Sequence, residues 1–236
     1  MRVKQLLLAS LLLLCVTGSA LAQPDARAHL RRGNESFARA EYEAAIAEYR
    51  RVPQGAGEVY AQALYNIGVC DYELWRTEDA LRLYRQAIAA HAGGYPKASY
   101  ALGIALEDLK RLAEAAAAYR QAIAAAHGKY APAYYRLGLL AARAGDYAGA
   151  ADLFRTANGG AQDQFPTSHN NLGVMLALTG RLLEAEREFA LALRQAEGAF
   201  SEAAENLKLC RALLAGQTPS QLAMMKLVGA TDTPGR

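Results

Sequence analysis

Five glycines stand 35 residues apart, at Gly33, Gly68, Gly103, Gly138 and Gly173. Twelve residues after each comes an alanine, Ala45, Ala80, Ala115, Ala150 or Ala185, and four residues later an aromatic ring, Tyr49, Tyr84, Tyr119, Phe154 or Phe189. Three further on the residue is small again: Val52, Ala87, Ala122, Ala157 or Ala192. A fixed period of about 20 to 50 residues marks a unit that cannot bury its own apolar face and must stack on its neighbours. Steps of four and three keep the alanine, the ring and the small residue on one helical face. Just before the later glycines lie Ile67, Leu102, Leu137 and Leu172. A first helix therefore sets an aliphatic beside a glycine that lets a second helix approach closely. Ala144-Gly145-Asp146-Tyr147 and Thr179-Gly180-Arg181-Leu182 supply the turns between the two, with glycine ending the first helix. Each unit reads as helix, turn, helix, an object that ordinarily binds rather than catalyses.

These residues resemble the tetratricopeptide repeat, a pattern of small-or-aromatic, Leu-Gly, Gly-x-Tyr, Ala, aromatic and Ala over about 34 residues. The resemblance runs from about residue 26 to 198, and its fullest copy is Ala133-Tyr134-Tyr135-Arg136-Leu137-Gly138 followed by Gly145-Asp146-Tyr147, Ala150, Phe154 and Ala157. The family's tyrosine three residues after the glycine is replaced by Ser36, Asp71, Leu106, Ala141 and Leu176, and Arg32 stands where the first unit should carry an aliphatic. What the resemblance implies is an all-α fold, a right-handed α-solenoid of five helix-turn-helix repeats over residues 26–198, with capping helices over 199–228 and a flexible tail over 229–236.

Arg2 and Lys4 precede an apolar run from Leu6 to Val16, and Thr17-Gly18-Ser19-Ala20-Leu21-Ala22 ends in an A-x-A pattern. Residues 1–22 read as a secretory signal peptide cleaved after Ala22, which places the chain in the periplasm or outside the cell. An uncleaved anchor is disfavoured because the apolar run falls short of the roughly 20 residues a bilayer span needs. A lipoprotein signal centred on Cys15 is disfavoured by Leu14 before it. Cleavage would take away two of the 26 basic residues and none of the 23 acidic ones. Charge is then nearly balanced, and no basic field remains to attract nucleic acid. Cys70 and Cys210 fall at equivalent repeat positions four units apart. That is too far for a disulfide within the chain, so both read as small buried hydrophobes, the other reading being an intermolecular disulfide.

Beyond the fifth repeat, Ser201 to Ala215 repeats a first-helix pattern with Leu207, Cys210, Leu213 and Leu214 on one face and Glu202, Glu205, Lys208 and Arg211 on the other. Such a helix caps a solenoid end. Gly216 stops it, and Thr218-Pro219-Ser220 predicts a short helix over Gln221 to Val228. Met224, Met225, Leu227 and Val228 either fold back on the cap or present a partner-binding segment. The repeats are joined by short Gly- and Pro-containing loops, with no linker long enough to separate domains.

No motif for catalysis is present: there is no Gly-rich phosphate loop, His-Glu-x-x-His, Gly-x-Ser-x-Gly or paired-cysteine zinc spacing. His29, His91, His127 and His169 lie in different repeats without metal-ligand spacing. The expectation is a non-enzyme without a cofactor and without a membrane span once the signal is gone. In the resembled family the first helices line a concave face. Carried over, that lining comprises Arg31, Asn34, Tyr65, Asn66, Tyr72, Lys97, Tyr100, Tyr135, Arg136, Asn170 and Asn171. Asparagine both gives and accepts hydrogen bonds along an extended backbone, and tyrosine adds contact area with few rotors to freeze. Family members that clamp a C-terminal carboxylate further imply a clamp at Asn34, Asn66 and Lys97, with Leu30 and Ala101 at its other two positions. The expected function is an envelope adaptor holding a protein or peptide partner. The alternative is a carbohydrate-binding module of a polysaccharide export system, stacking sugars on Tyr65, Tyr72, Tyr100 and Tyr135.

Overall fold

The computed structural model describes residues 25–161, 165–216 and 219–229, and among these are eleven α-helices and no strand. The chain divides into two compact units, residues 1–125 and 126–236. Nothing in the composition marks that boundary, because the turn after residue 125 has the same length and character as the other turns between repeats. The expected signal segment falls outside the described residues.

The first unit holds α1 (25–38), α2 (Tyr42–Tyr49), α3 (Glu58–Glu73), α4 (Thr77–Ala90), α5 (Pro96–Asp108) and α6 (Leu112–Ala125), with a 3-10 turn at Gln54–Ala56. The second holds α7 (Ala131–Arg143), α8 (Tyr147–Gly160), α9 (Pro166–Leu178), α10 (Leu182–Gln195) and α11 (Ser201–Leu214), then a 3-10 turn at Pro219–Met224. Proline opens α5, α7 and α9, where its missing N–H is not needed and its fixed φ suits the first turn.

Each repeat is closed by one contact. The ring of Tyr49, Tyr84, Tyr119, Phe154 or Phe189 lies against the glycine sixteen residues earlier, so close that a Cβ built on Gly103 would stand 2.4 Å from Tyr119 Cε1 and one on Gly173 2.6 Å from Phe189 Cε1. All five rings are at most 2 % exposed, and Ala45, Ala80, Ala115, Ala150 and Ala185 are fully buried beside them. Around these contacts the first unit gathers Ile46, Val52, Ile67 and Cys70, and the second Leu139, Leu172, Met175 and Leu176.

The turn inside each repeat is equally regular. Ala40, Trp75, Lys110, Gly145 and Gly180 occupy one register position and all adopt positive φ, between 58° and 81°. The next N–H reaches back to the carbonyl five residues earlier, as from Arg76 to Asp71 (2.8 Å) and from Arg181 to Leu176 (2.8 Å). That bond satisfies one of the carbonyls a helix end leaves open. Glycine adopts this conformation freely, whereas an L side chain costs about 1–2 kcal/mol.

α11 ends where the helical pattern predicts, but the segment after it does not follow. In place of a helix to Val228, the 3-10 turn stops at Met224 and residues 225–229 have no helical or strand assignment. Their main chain is held by side chains of other helices, and a helix would have to break every one of those bonds.

Two substitutions test these contacts by urea denaturation. Gly103→Ala is expected to destabilise the chain by about 1–3 kcal/mol through overpacking against Tyr119. Lys110→Gly should stabilise it by about 1 kcal/mol, since it relieves positive φ at an exposed turn.

Candidate functional site

First helices of successive repeats present equivalent positions. One column of the 35-residue register runs Arg31, Asn66, Ala101, Arg136, Asn171, Asn206; its neighbour runs Leu30, Tyr65, Tyr100, Tyr135, Asn170, Glu205. In the second unit these columns hold the chain's own C-terminal segment. Asn171 Oδ1 accepts from Val228 N–H (2.9 Å) while its Nδ2 donates to Val228 O (2.6 Å). One repeat further, Asn206 Oδ1 accepts from Lys226 N–H (2.8 Å) and its Nδ2 donates to Lys226 O (2.9 Å). Tyr135 Oη donates to Val228 O (2.8 Å), and Asn170 Nδ2 to Lys226 O (3.2 Å).

Two amides thus grip alternate residues of one segment. An extended chain advances about 6.6 Å over two residues, and the two gripping side chains come from α9 and α11, which touch each other. The amides also hold one another: Asn206 Nδ2 donates to Asn170 Oδ1 (2.8 Å), Asn170 Nδ2 to Asn171 Oδ1 (3.2 Å) and Asn171 Nδ2 to Tyr135 Oη (3.3 Å). Every member is therefore bonded to another member as well as to the segment. Alternate side chains divide accordingly: Met225 and Leu227 pack against the apolar cluster, and Lys226 Nζ reaches Glu205 Oε2 at 2.6 Å. With the segment in place, Ser168 to Ala177 of α9 are all buried, where an ordinary surface helix would bury one stripe.

Residues 71–131 match the family model described as tetratricopeptide repeat. That stretch is similar to tetratricopeptide repeats. Solved structures of similar fold include one titled for the functional characterisation of Pseudomonas aeruginosa pilF (TM-score 0.66, 19% identity, covering 88% of this chain and 90% of that one). Another is residues 41-end of MamA from Desulfovibrio magneticus RS-1 (TM-score 0.59, 19% identity, 74% and 97%). A third is YrrB, described as a tetratricopeptide repeat protein with an unusual peptide-binding site (TM-score 0.56, 19% identity, 72% and 86%). No curated protein matches the sequence.

In the first unit, Asn34, Phe37, Tyr49, Tyr65, Asn66 and Val69 surround a recess of about 230 Å³. Asn34 Oδ1 accepts from Tyr49 Oη (2.8 Å) and from Asn66 Nδ2 (3.0 Å), so α1 and α3 are tied by an amide pair of which Asn66 stands in the register column of Asn171 and Asn206. Lys97 is exposed in the first turn of α5, and Arg31 is exposed on α1. Tyr72 Oη donates to Asp108 Oδ2. Arg136 is half-buried on α7. Three of the four rings named as sugar platforms are engaged with other rings. Tyr65 lies 5.9 Å from Tyr84 and 5.4 Å from Tyr95, Tyr100 5.6 Å from Tyr119, and Tyr135 5.7 Å from Phe154 and 4.8 Å from Phe165.

Asn206 and Glu205 were not among the residues singled out from the sequence. The signal for them is the register itself, since Asn206 lies 35 residues after Asn171, in the column of Asn66. Among the described residues no group of His, Cys, Asp and Glu side chains can hold a metal ion, and no helix is long and apolar enough to cross a membrane.

Tyr49 and Cys70 are buried, and Cys70 and Cys210 are free thiols. Burial pushes the Tyr49 phenol from 10.0 to about 12 and the Cys70 thiol from 9.0 to about 12. Both raised groups are neutral when protonated, so their contribution is complete below pH 9 and is lost as the pH climbs toward 12. The urea midpoint should therefore fall between pH 8 and pH 11, and less steeply in Cys70→Ala. Below pH 9, Cys70 should resist alkylation until the protein is unfolded.

Proposed function

We propose that the chain is a non-catalytic interaction scaffold that binds an extended segment of a protein partner along its first helices. Proteins built of these repeats generally serve as scaffolds. The observation that carries the finer reading is the paired grip of Asn171 and Asn206 on the main chain of residues 228 and 226. Main-chain recognition of this kind asks for an extended conformation first and for side chains second. Amides suit it because each offers a donor and an acceptor that match one residue's C=O and N–H. Asn66, in the register column of Asn171 and Asn206, places one such amide in the first unit.

The partner belongs to the cell envelope in this reading, on the strength of the signal-like segment at residues 1–22. Engagement of Tyr65, Tyr100 and Tyr135 with neighbouring rings leaves the carbohydrate alternative without a supporting observation.

Photo-crosslinking in living cells tests this reading. A photoreactive residue replaces Tyr100, the register equivalent of Tyr135, and a control replaces Arg120, exposed on the second helix of the same repeat. The expected result is a single protein captured at position 100 and not at 120, with capture lost when Asn66→Ala is added. Equal capture at both positions, or none at either, contradicts it.

A further inference from the structure

The C-terminal segment is the only peptide whose binding to this face the structure displays among the described residues, and its chemistry describes what the face accepts. Its main chain satisfies two asparagines in both directions. Its alternate side chains Met225 and Leu227 enter the apolar cluster around Leu139, Leu172 and Leu207. Between them Lys226 meets the carboxylate of Glu205, 21 residues earlier on α11. Nothing in this set of contacts needs the segment to be covalently joined to α11.

The segment also differs from an ordinary end-cap. A helix over these residues would bury the same apolar side chains and satisfy its own N–H and C=O groups. The observed conformation instead leaves those groups to be paired by side chains of the three helices α7, α9 and α11. The 3-10 turn holding Pro219 to Met224 carries the chain back from α11, which ends at Leu214. A connection of about ten residues gives a tethered segment an effective concentration in the millimolar range.

We propose that the face formed by α7, α9 and α11 is a binding site for an extended protein segment carrying an apolar–basic–apolar triplet, and that residues 225–228 occupy it as a tethered competitor. This rests on the scaffold reading above and names the partner's chemistry. A partner segment of the same pattern displaces the tail, and Met225 and Leu227 then become exposed. Asn171 and Asn206 fix the main chain; Glu205 selects the basic residue.

The test measures the affinity of a fluorescent peptide spanning residues 222–229 for the full chain by anisotropy. Lys226→Pro with Val228→Pro, made in the protein, removes the two N–H groups that Asn206 and Asn171 accept, and peptide affinity should rise at least tenfold. Adding Asn171→Ala and Asn206→Ala should abolish binding. Peptide Lys226→Glu should bind at least tenfold more weakly than the parent peptide to the proline-containing protein, and Glu205→Lys in that protein should restore it. This charge swap stays informative if the asparagine variants lose their helicity. Equal peptide affinity for the native and proline-containing chains overturns the proposal, as does binding that survives removal of both asparagines or ignores the charge swap. A dimer that the proline substitutions dissociate also overturns it, assigning the tail to a second copy. Capture at position 100 in cells together with failure here leaves the scaffold reading standing and removes only the tethered competitor.

Discussion

The structure depends on a ring laid against a glycine, five times over. Any side chain at Gly33, Gly68, Gly103, Gly138 or Gly173 would occupy the space of the aromatic that follows sixteen residues later. The contact sets the separation of the two helices in each repeat, and the fully buried alanine beside the ring fixes how one helix lies on the other. Because the second helix takes the glycine side of the first, the opposite side of the first helix is left for something else. That side carries the amide column, two residues before the glycine, while the tyrosine column borders the ring contacts themselves.

What those columns do follows from their chemistry. Asparagine is short and stiff enough to be held by its neighbours. Asn170, Asn171, Asn206 and Tyr135 hold one another in a chain of hydrogen bonds as well as holding the bound segment. A polar network so buried is costly if left incomplete and specific when complete. The C-terminal segment completes it, which explains why this stretch forsakes helical structure despite a helix-like sequence. Second helices carry the solvated charges instead, with exposed pairs such as Arg82–Asp79 and Arg155–Asp152, where each adds little stability.

Most of the repeat fold was legible because it is written locally and five times. Gly145 and Gly180 signal their turns directly, and the same position tolerates Ala40, Trp75 and Lys110 only because the register imposes the conformation. The tail was not legible. A helical turn forms at Pro219–Met224, but Lys226 and Val228 are claimed by partners 20 and 57 residues away in sequence, and no local pattern announces such partners. Among the site residues, Asn170, Asn171 and Tyr135 could be placed by repeat position. Glu205 reads as part of the polar side of a cap and Asn206 is not singled out, since the helix that carries them has no second helix to mark it as part of the series.

Amide hydrogen exchange at three consecutive tail residues tests the central claim most directly. Lys226 and Val228 donate their N–H groups to Asn206 and Asn171, whereas no described group accepts from Leu227. The account predicts slow exchange at 226 and 228 flanking fast exchange at 227, with protection at 228 lost in Asn171→Ala and at 226 lost in Asn206→Ala. Uniformly fast exchange across the three, or a continuous protected run typical of a helix, would contradict an asparagine grip on an extended chain.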